Sequence, residues 1–128
     1  MTGESILVVE DEGIIALHLT EMLKGGGFEV IGPVNSGEEA LRAFEDSTVP
    51  DLILMDIKLG GLMDGIETAK QIRQRFSVLL IFLSAYSSER TLEQMQALAP
   101  EGYLTKPVTE KDLFKAIATA LAGQGKAR

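Results

Sequence analysis

Short apolar runs and helically spaced apolar positions alternate along the chain from end to end. The runs at 6–9, 28–34, 52–55, 78–83 and 103–104 predict five β-strands. Those at 6–9, 52–55 and 78–83 are apolar at nearly every position, as in central parallel strands covered on both faces. Between the runs, Ile15, Leu19, Met22 and Leu23 share one helical face, which breaks at Gly25-Gly26-Gly27. Ala40, Leu41 and Phe44 follow Ser36-Gly37-Glu38-Glu39, a capping-box pattern in which serine and glutamate satisfy backbone N–H groups. Ile66, Ala69, Ile72 and Phe76 predict a third helix, and Leu92, Met95 and Leu98 a weaker fourth. Leu113, Ile117, Ala120 and Leu121 form the last, with Thr109 placed to cap its N-terminus.

Five strand–helix repeats predict an α/β domain, because right-handed crossovers lay helices on both faces of a parallel sheet. An open, doubly wound sheet is favoured over half a barrel, which would leave its edges exposed. The whole of 1–122 reads as one domain. Gly123 to Arg128 reads as a flexible tail or the start of a linker.

Composition narrows the chemistry. The chain has 128 residues, enough for a core without staples, and no cysteine, which excludes disulfides, thiolate metal sites and a cysteine nucleophile. The N-terminus lacks the basic region of a signal peptide, and no apolar run approaches a bilayer's thickness, so a cytoplasmic protein is expected. The net charge of −7 argues against direct nucleic-acid binding. That charge is uneven: residues 1–64 hold 13 acidic and 3 basic side chains, residues 65–128 hold 6 and 9. Carboxylates concentrated in one half suggest a cation site, although a solvated acidic face has the same composition.

In an open parallel sheet, ligands bind beyond the carboxyl ends of the strands. Glu10, Asp11 and Glu12 follow the first strand, Asp56 ends the third, Ser84 the fourth and Lys106 the fifth. If the first and third strands are neighbours, Glu10, Asp11 and Asp56 converge. Such carboxylates repel one another unless a cation intervenes, and oxygen ligands without His or Cys favour magnesium. Lys106 and the Ser84 hydroxyl would then suit a phosphoryl group. Taken singly, each acid is as well explained as a solvated helix cap; four strand ends together are not.

At these residues the chain resembles the receiver domains of two-component response regulators and hybrid kinases, over essentially its whole length. The matching segments are ILVVEDE (6–12), DLILMDIKL (51–59), MDGIE (63–67), FLSAYS (82–87) and GYLTKPV (102–108). The resemblance implies a flavodoxin-like (βα)5 sandwich with strand order 2-1-3-4-5. It implies that Asp56 accepts a phosphoryl group from a histidine kinase or a histidine phosphotransfer protein, so that the chain is a signalling phosphoacceptor and not an enzyme acting on others. Asp11 matches a direct Mg2+ ligand, Glu10 an acid acting through water, and Lys58 the position whose backbone carbonyl completes the metal shell. Ser84 and Tyr103 match the switch pair, and Lys106 the phosphate-binding lysine, with a cis bond expected at Lys106-Pro107. The signalling surface, and the face for any homodimer, would be the fourth helix, fifth strand and fifth helix, at approximately 87–121. The downstream effector is not readable.

Some features depart from the pattern or admit plainer readings. KLGGLM (58–63) is about one residue longer than the common loop and lacks its proline. Lys58 and Tyr86 occupy positions that tune loss of the phosphoryl group and predict slow autodephosphorylation. Tyr103 at the start of an edge strand also fits simple amphipathic packing, and His18 reads as a surface residue. Asp64 and Gly65 read as the cap and start of the third helix. An aspartate-nucleophile phosphatase would want an acid two residues beyond Asp56, where Lys58 stands, and a flavodoxin's FMN phosphate would be repelled by the acids at 10–12.

Overall fold

Ser5–Val9 (β1), Glu29–Val34 (β2), Leu52–Asp56 (β3), Leu79–Ser84 (β4) and Gly102–Thr105 (β5) pair in parallel, in the order β2-β1-β3-β4-β5. They belong to a computed structural model that describes residues 3–46, 49–85 and 88–126. The intervening helices are Gly13–Gly25 (α1), Gly37–Asp46 (α2), Gly65–Arg75 (α3), Glu89–Gln96 (α4) and Glu110–Lys126 (α5). This is the flavodoxin-like order expected. β1 and β3 are neighbours, with Ile6 opposite Leu52 and Val9 opposite Met55.

The two-residue period of a strand divides the apolar runs between two cores. Ile6 and Val8, with Leu52, Leu54, Ile81 and Leu83, face α1 and α5, where they meet Leu19, Leu23, Leu113 and Ile117. Leu7 and Val9, with Ile53, Met55, Leu80 and Phe82, face the other way, onto Phe44 of α2, Ile66 and Ile72 of α3 and Met95 of α4. At roughly 1.5–3 kcal/mol for each fully buried large side chain, these strands are fixed in register, since a one-residue slip would exchange the two faces.

Most local expectations hold. Asp64 caps α3 by accepting the Glu67 N–H at 2.8 Å, and the Thr109 hydroxyl accepts the Asp112 N–H at 3.1 Å at the start of α5. The capping box at α2 is formed on one side only. Ser36 Oγ accepts the Glu39 N–H at 3.1 Å, but the Glu39 carboxylate reaches one residue further back, to the Asn35 N–H. Leu92 differs from the expected buried face: it is exposed, and among the described residues of α4 only Met95 is buried. Lys106-Pro107 is cis, as is Gly32-Pro33 in the edge strand β2, where the pairing with β1 shifts register. The strand begins at Glu29 and not at Phe28. Helix α5 continues to Lys126, across the first part of the segment that reads as a tail.

Candidate functional site

Parallel strands of nearly matched length bring all their carboxyl ends to one rim. β1 runs directly into Glu10, whose backbone N–H donates to Val34 O of β2 at 2.9 Å. The residue is 2 % exposed, and its Oε2 accepts the Glu12 N–H at 3.1 Å. Asp56, the last residue of β3, is buried at 4 %, and the Ile57 N–H extends the ladder to Leu83 O at 3.2 Å. Asp11 stands beside them but is exposed. Carboxylate oxygens of Glu10, Asp11 and Asp56 lie within 4.8 Å of one another.

Lys106 enters this cluster from the end of β5, its N–H held by Ser84 O at 2.8 Å. Its Nζ donates to Asp56 Oδ2 at 3.0 Å and lies 2.8 Å from Glu10 Oε1, with Glu12 Oε1 at 3.9 Å. The Lys106 ammonium is thus shared between two buried carboxylates. Burial pushes the Glu10 carboxyl above its ordinary range, because the Lys106 ammonium only partly offsets the cost of desolvating a carboxylate. Burial would pull Lys106 down, but the carboxylates of Glu10 and Asp56 outweigh it and hold the ammonium above the usual lysine value. Lys106 therefore stays charged at neutral pH.

A cavity of about 360 Å³ opens over the cluster, lined by Asp11, Asp56, Lys58, Ser84, Thr91 and Lys106 among others. Ser84 thus shares the opening with Asp56 and Lys106. Tyr103 lies elsewhere: it is 44 % exposed and borders a separate cavity of about 260 Å³ between α4 and β5, which also touches Ser84. Tyr86 lies outside the described residues. His18 is exposed on α1. A wider depression of about 790 Å³ lies at the opposite rim, where Arg73 donates to Leu98 O and Val78 O and pairs with Glu101. Those bonds tie α3 to the start of β4 and gather no comparable set of acids.

The oxygen-only donor set and the mutual distances of Glu10, Asp11 and Asp56 together suit a hard divalent cation such as Mg2+. One contributor to this rim is not evident from sequence spacing. A Cβ on Gly65 would stand 1.9 Å from Asp56 O, so α3 approaches the back of the aspartate as only glycine allows. Glu12, last of the three consecutive acids after β1, is a third carboxylate near the Lys106 ammonium, at 3.9 Å, after Glu10 and Asp56. The motif MDGIE marks Gly65 as a helix start, and nothing local reveals the strand that it abuts.

Residues 6–118 match the response regulator receiver domain family. The chain is 34% identical over 117 residues to the transcriptional regulatory protein PdtaR of Mycobacterium tuberculosis, covering 91% of this chain and 56% of that protein. It is 39% identical over 118 residues to the uncharacterized transcriptional regulatory protein YrkP of Bacillus subtilis, covering 91% and 48%. The chain thus spans about half the length of the curated relatives it matches. Among solved structures, the signal receiver domain of a modulated diguanylate cyclase from Desulfovibrio desulfuricans G20 superposes with a TM-score of 0.91 at 32% identity, covering 98% of this chain and 99% of that one. A CheY-like response regulator receiver domain protein from Methanospirillum hungatei JF-1 superposes with a TM-score of 0.88 at 28% identity, covering 98% and 99%. With the strand order, the acid cluster and the lysine in agreement, the chain belongs to the response regulator receiver domains of two-component signalling.

Proposed function

We propose that Asp56 accepts a phosphoryl group from a phosphohistidine on a histidine kinase or phosphotransfer protein. The observation that carries this reading is the meeting of Glu10, Asp11 and Asp56 with the Lys106 ammonium at one rim. Glu10, Asp11, Asp56 and the backbone carbonyl of Lys58 would hold Mg2+. When bound, the ion supplies positive charge against the oxygens of the transferred group.

A carboxylate oxygen of Asp56 forms the new bond to phosphorus, and the imidazole departs with the electron pair of the broken P–N bond. Little covalent chemistry is required beyond in-line placement and charge neutralisation. Lys106, held charged between Glu10 and Asp56, offers its ammonium to a phosphoryl oxygen, and the Ser84 hydroxyl donates a hydrogen bond to another. The aspartyl phosphate then draws Ser84 and Lys106 toward it, and Tyr103 turns inward beside the vacated position. That motion would repack α4, β5 and α5, which transmit the signal and offer a face for a homodimer.

The chain acts in this account only on its own Asp56, as a phosphoacceptor and not as an enzyme on other substrates. Its partners would be proteins met in the cytoplasm; a net charge of −7 opposes direct nucleic-acid contact. No helix among the described residues is long and apolar enough to cross a membrane. Incubation with phosphoramidate and Mg2+ tests the reading by intact mass. One phosphoryl adduct is expected in the wild type and none in Asp56→Asn. An adduct of equal yield in the variant would overturn the assignment.

A further inference from the structure

The loop between Asp56 and Asp64 does not hang free over the site. Gly60 forms an isolated parallel bridge with Ser36, just before α2. Two residues on, the Leu62 N–H donates to Glu38 Oε2 at 3.2 Å, a contact spanning 24 residues of sequence. Gly61 sits at φ +93°, and a Cβ there would lie 2.7 Å from Glu38 Oε1. The loop is thus pressed against the first turn of α2 as closely as glycine permits. Its other side faces the acids: a Cβ on Gly60 would stand 3.9 Å from Asp11 Oδ2. The segment that carries Lys58 is therefore gripped from behind by α2 and borders the acid cluster in front, at Asp11.

We propose that Glu38 is a positioning residue for the phosphorylation site: by accepting the Leu62 N–H, its carboxylate holds the 58–63 loop beside Asp11 and Asp56. The proposal rests on the phosphoacceptor reading of that site. An acceptor is needed here because two successive glycines leave the loop little stiffness of its own. The extra loop residue is accommodated by docking on α2. A loop fixed in this way presents the Lys58 carbonyl in one place; a loose one must be ordered each time a cation binds.

Three variants separate the anchor from its charge. Glu38→Ala removes the acceptor, Glu38→Gln keeps an acceptor oxygen without charge, and Gly61→Ala forces the carboxylate away. Hydrogen exchange is read first in metal-free protein: the Leu62 amide should be protected in the wild type and Glu38→Gln, and exposed in Glu38→Ala and Gly61→Ala. Mg2+ affinity, titrated alone, should fall about three- to tenfold in the last two, the range set by one net hydrogen bond, and stay within about twofold in Glu38→Gln. Stability alone is not diagnostic, because both Glu38 variants also lose an acid favourable at a helix N-terminus.

An unprotected Leu62 amide in the wild type overturns the proposal. So does an equal loss of affinity in Glu38→Gln and Glu38→Ala, which would make Glu38 a remote charge and not an anchor. A wild type that binds no Mg2+ and takes no phosphoryl group overturns the phosphoacceptor reading instead, and the positioning role with it. The Leu62 exchange would still decide whether the contact forms.

Discussion

Replacing Lys106 by methionine keeps most of the side-chain volume and removes one charge from the centre of the site. In the wild type its ammonium serves two carboxylates at once, with side-chain exposures of 12 % for Lys106, 0 % for Glu10 and 6 % for Asp56. Removing one partner of a buried pair costs about 3–5 kcal/mol. Glu10 lowers that figure by taking up a proton, since burial already raises its affinity for one. A deficit of roughly 2–3 kcal/mol at neutral pH in EDTA is expected, or about 10 °C in Tm for a domain of this size. Mg2+ should narrow it, because carboxylates left unpaired by the substitution bind a cation more tightly than those already paired with Lys106, and the gap closes with the ratio of the two affinities. The deficit should also shrink at lower pH. A carboxyl with its folded-state pKa raised stabilises the fold below its unfolded pKa and loses that contribution as pH rises through the folded value. Urea and thermal unfolding of Lys106→Met and wild type, with EDTA or Mg2+ between pH 5 and 8, measure all three effects. Equal stability of the two proteins in EDTA at pH 7, or a gap indifferent to Mg2+, would mean that Lys106 does not hold the two carboxylates together.

Other perturbations address the frame around the site. Gly65→Ala should destabilise by at least about 1–3 kcal/mol in urea unfolding, because its Cβ meets the Asp56 carbonyl at 1.9 Å, and its phosphorylation by phosphoramidate should be slowed. Gly37→Ala places a Cβ 2.0 Å from Thr68 Oγ1, between α2 and α3, and should cost a similar amount; adding Thr68→Ala should recover part of it, a non-additivity read from a double-mutant cycle. The aspartyl phosphate should be long-lived in the wild type and hydrolyse faster in Lys58→Asn, as followed by loss of the phosphoryl adduct over time. A lifetime of seconds that the substitution leaves unchanged would count against shielding by Lys58.

The arrangement of strands and helices was legible because the signal is periodic. Alternate residues of 6–9, 52–55 and 79–83 sort onto two faces, and that alternation requires helices on both sides. The chemistry was legible because parallel strands end at one rim, so Glu10, Asp56, Ser84 and Lys106 had to come near one another. Less legible was which of the three consecutive acids is buried. Of the three, Glu10 alone is buried, because its backbone still pairs with β2, while Asp11 and Glu12 line the opening as exposed residues. Contacts made by single side chains across long sequence separations left no pattern at all. Glu38 reads as a solvated acid in the first turn of a helix until Leu62 is placed against it, and the glycines at 37, 61 and 65 read as punctuation until their neighbours are known. Tyr103 matched a switch position in sequence, but its orientation depends on the packing of α4, which rests on Met95 with Leu92 left exposed.

Chemical trapping identifies which acid carries the phosphoryl group, and Asp56 is the one expected. After reaction with phosphoramidate and Mg2+, borohydride reduces an acyl phosphate to the corresponding alcohol, which turns a phosphorylated aspartate into homoserine. Peptide sequencing by mass spectrometry should find homoserine at position 56 and at no other acid, including Asp11 and Asp64. Homoserine at another position, or none after a confirmed phosphoryl adduct, would contradict the account.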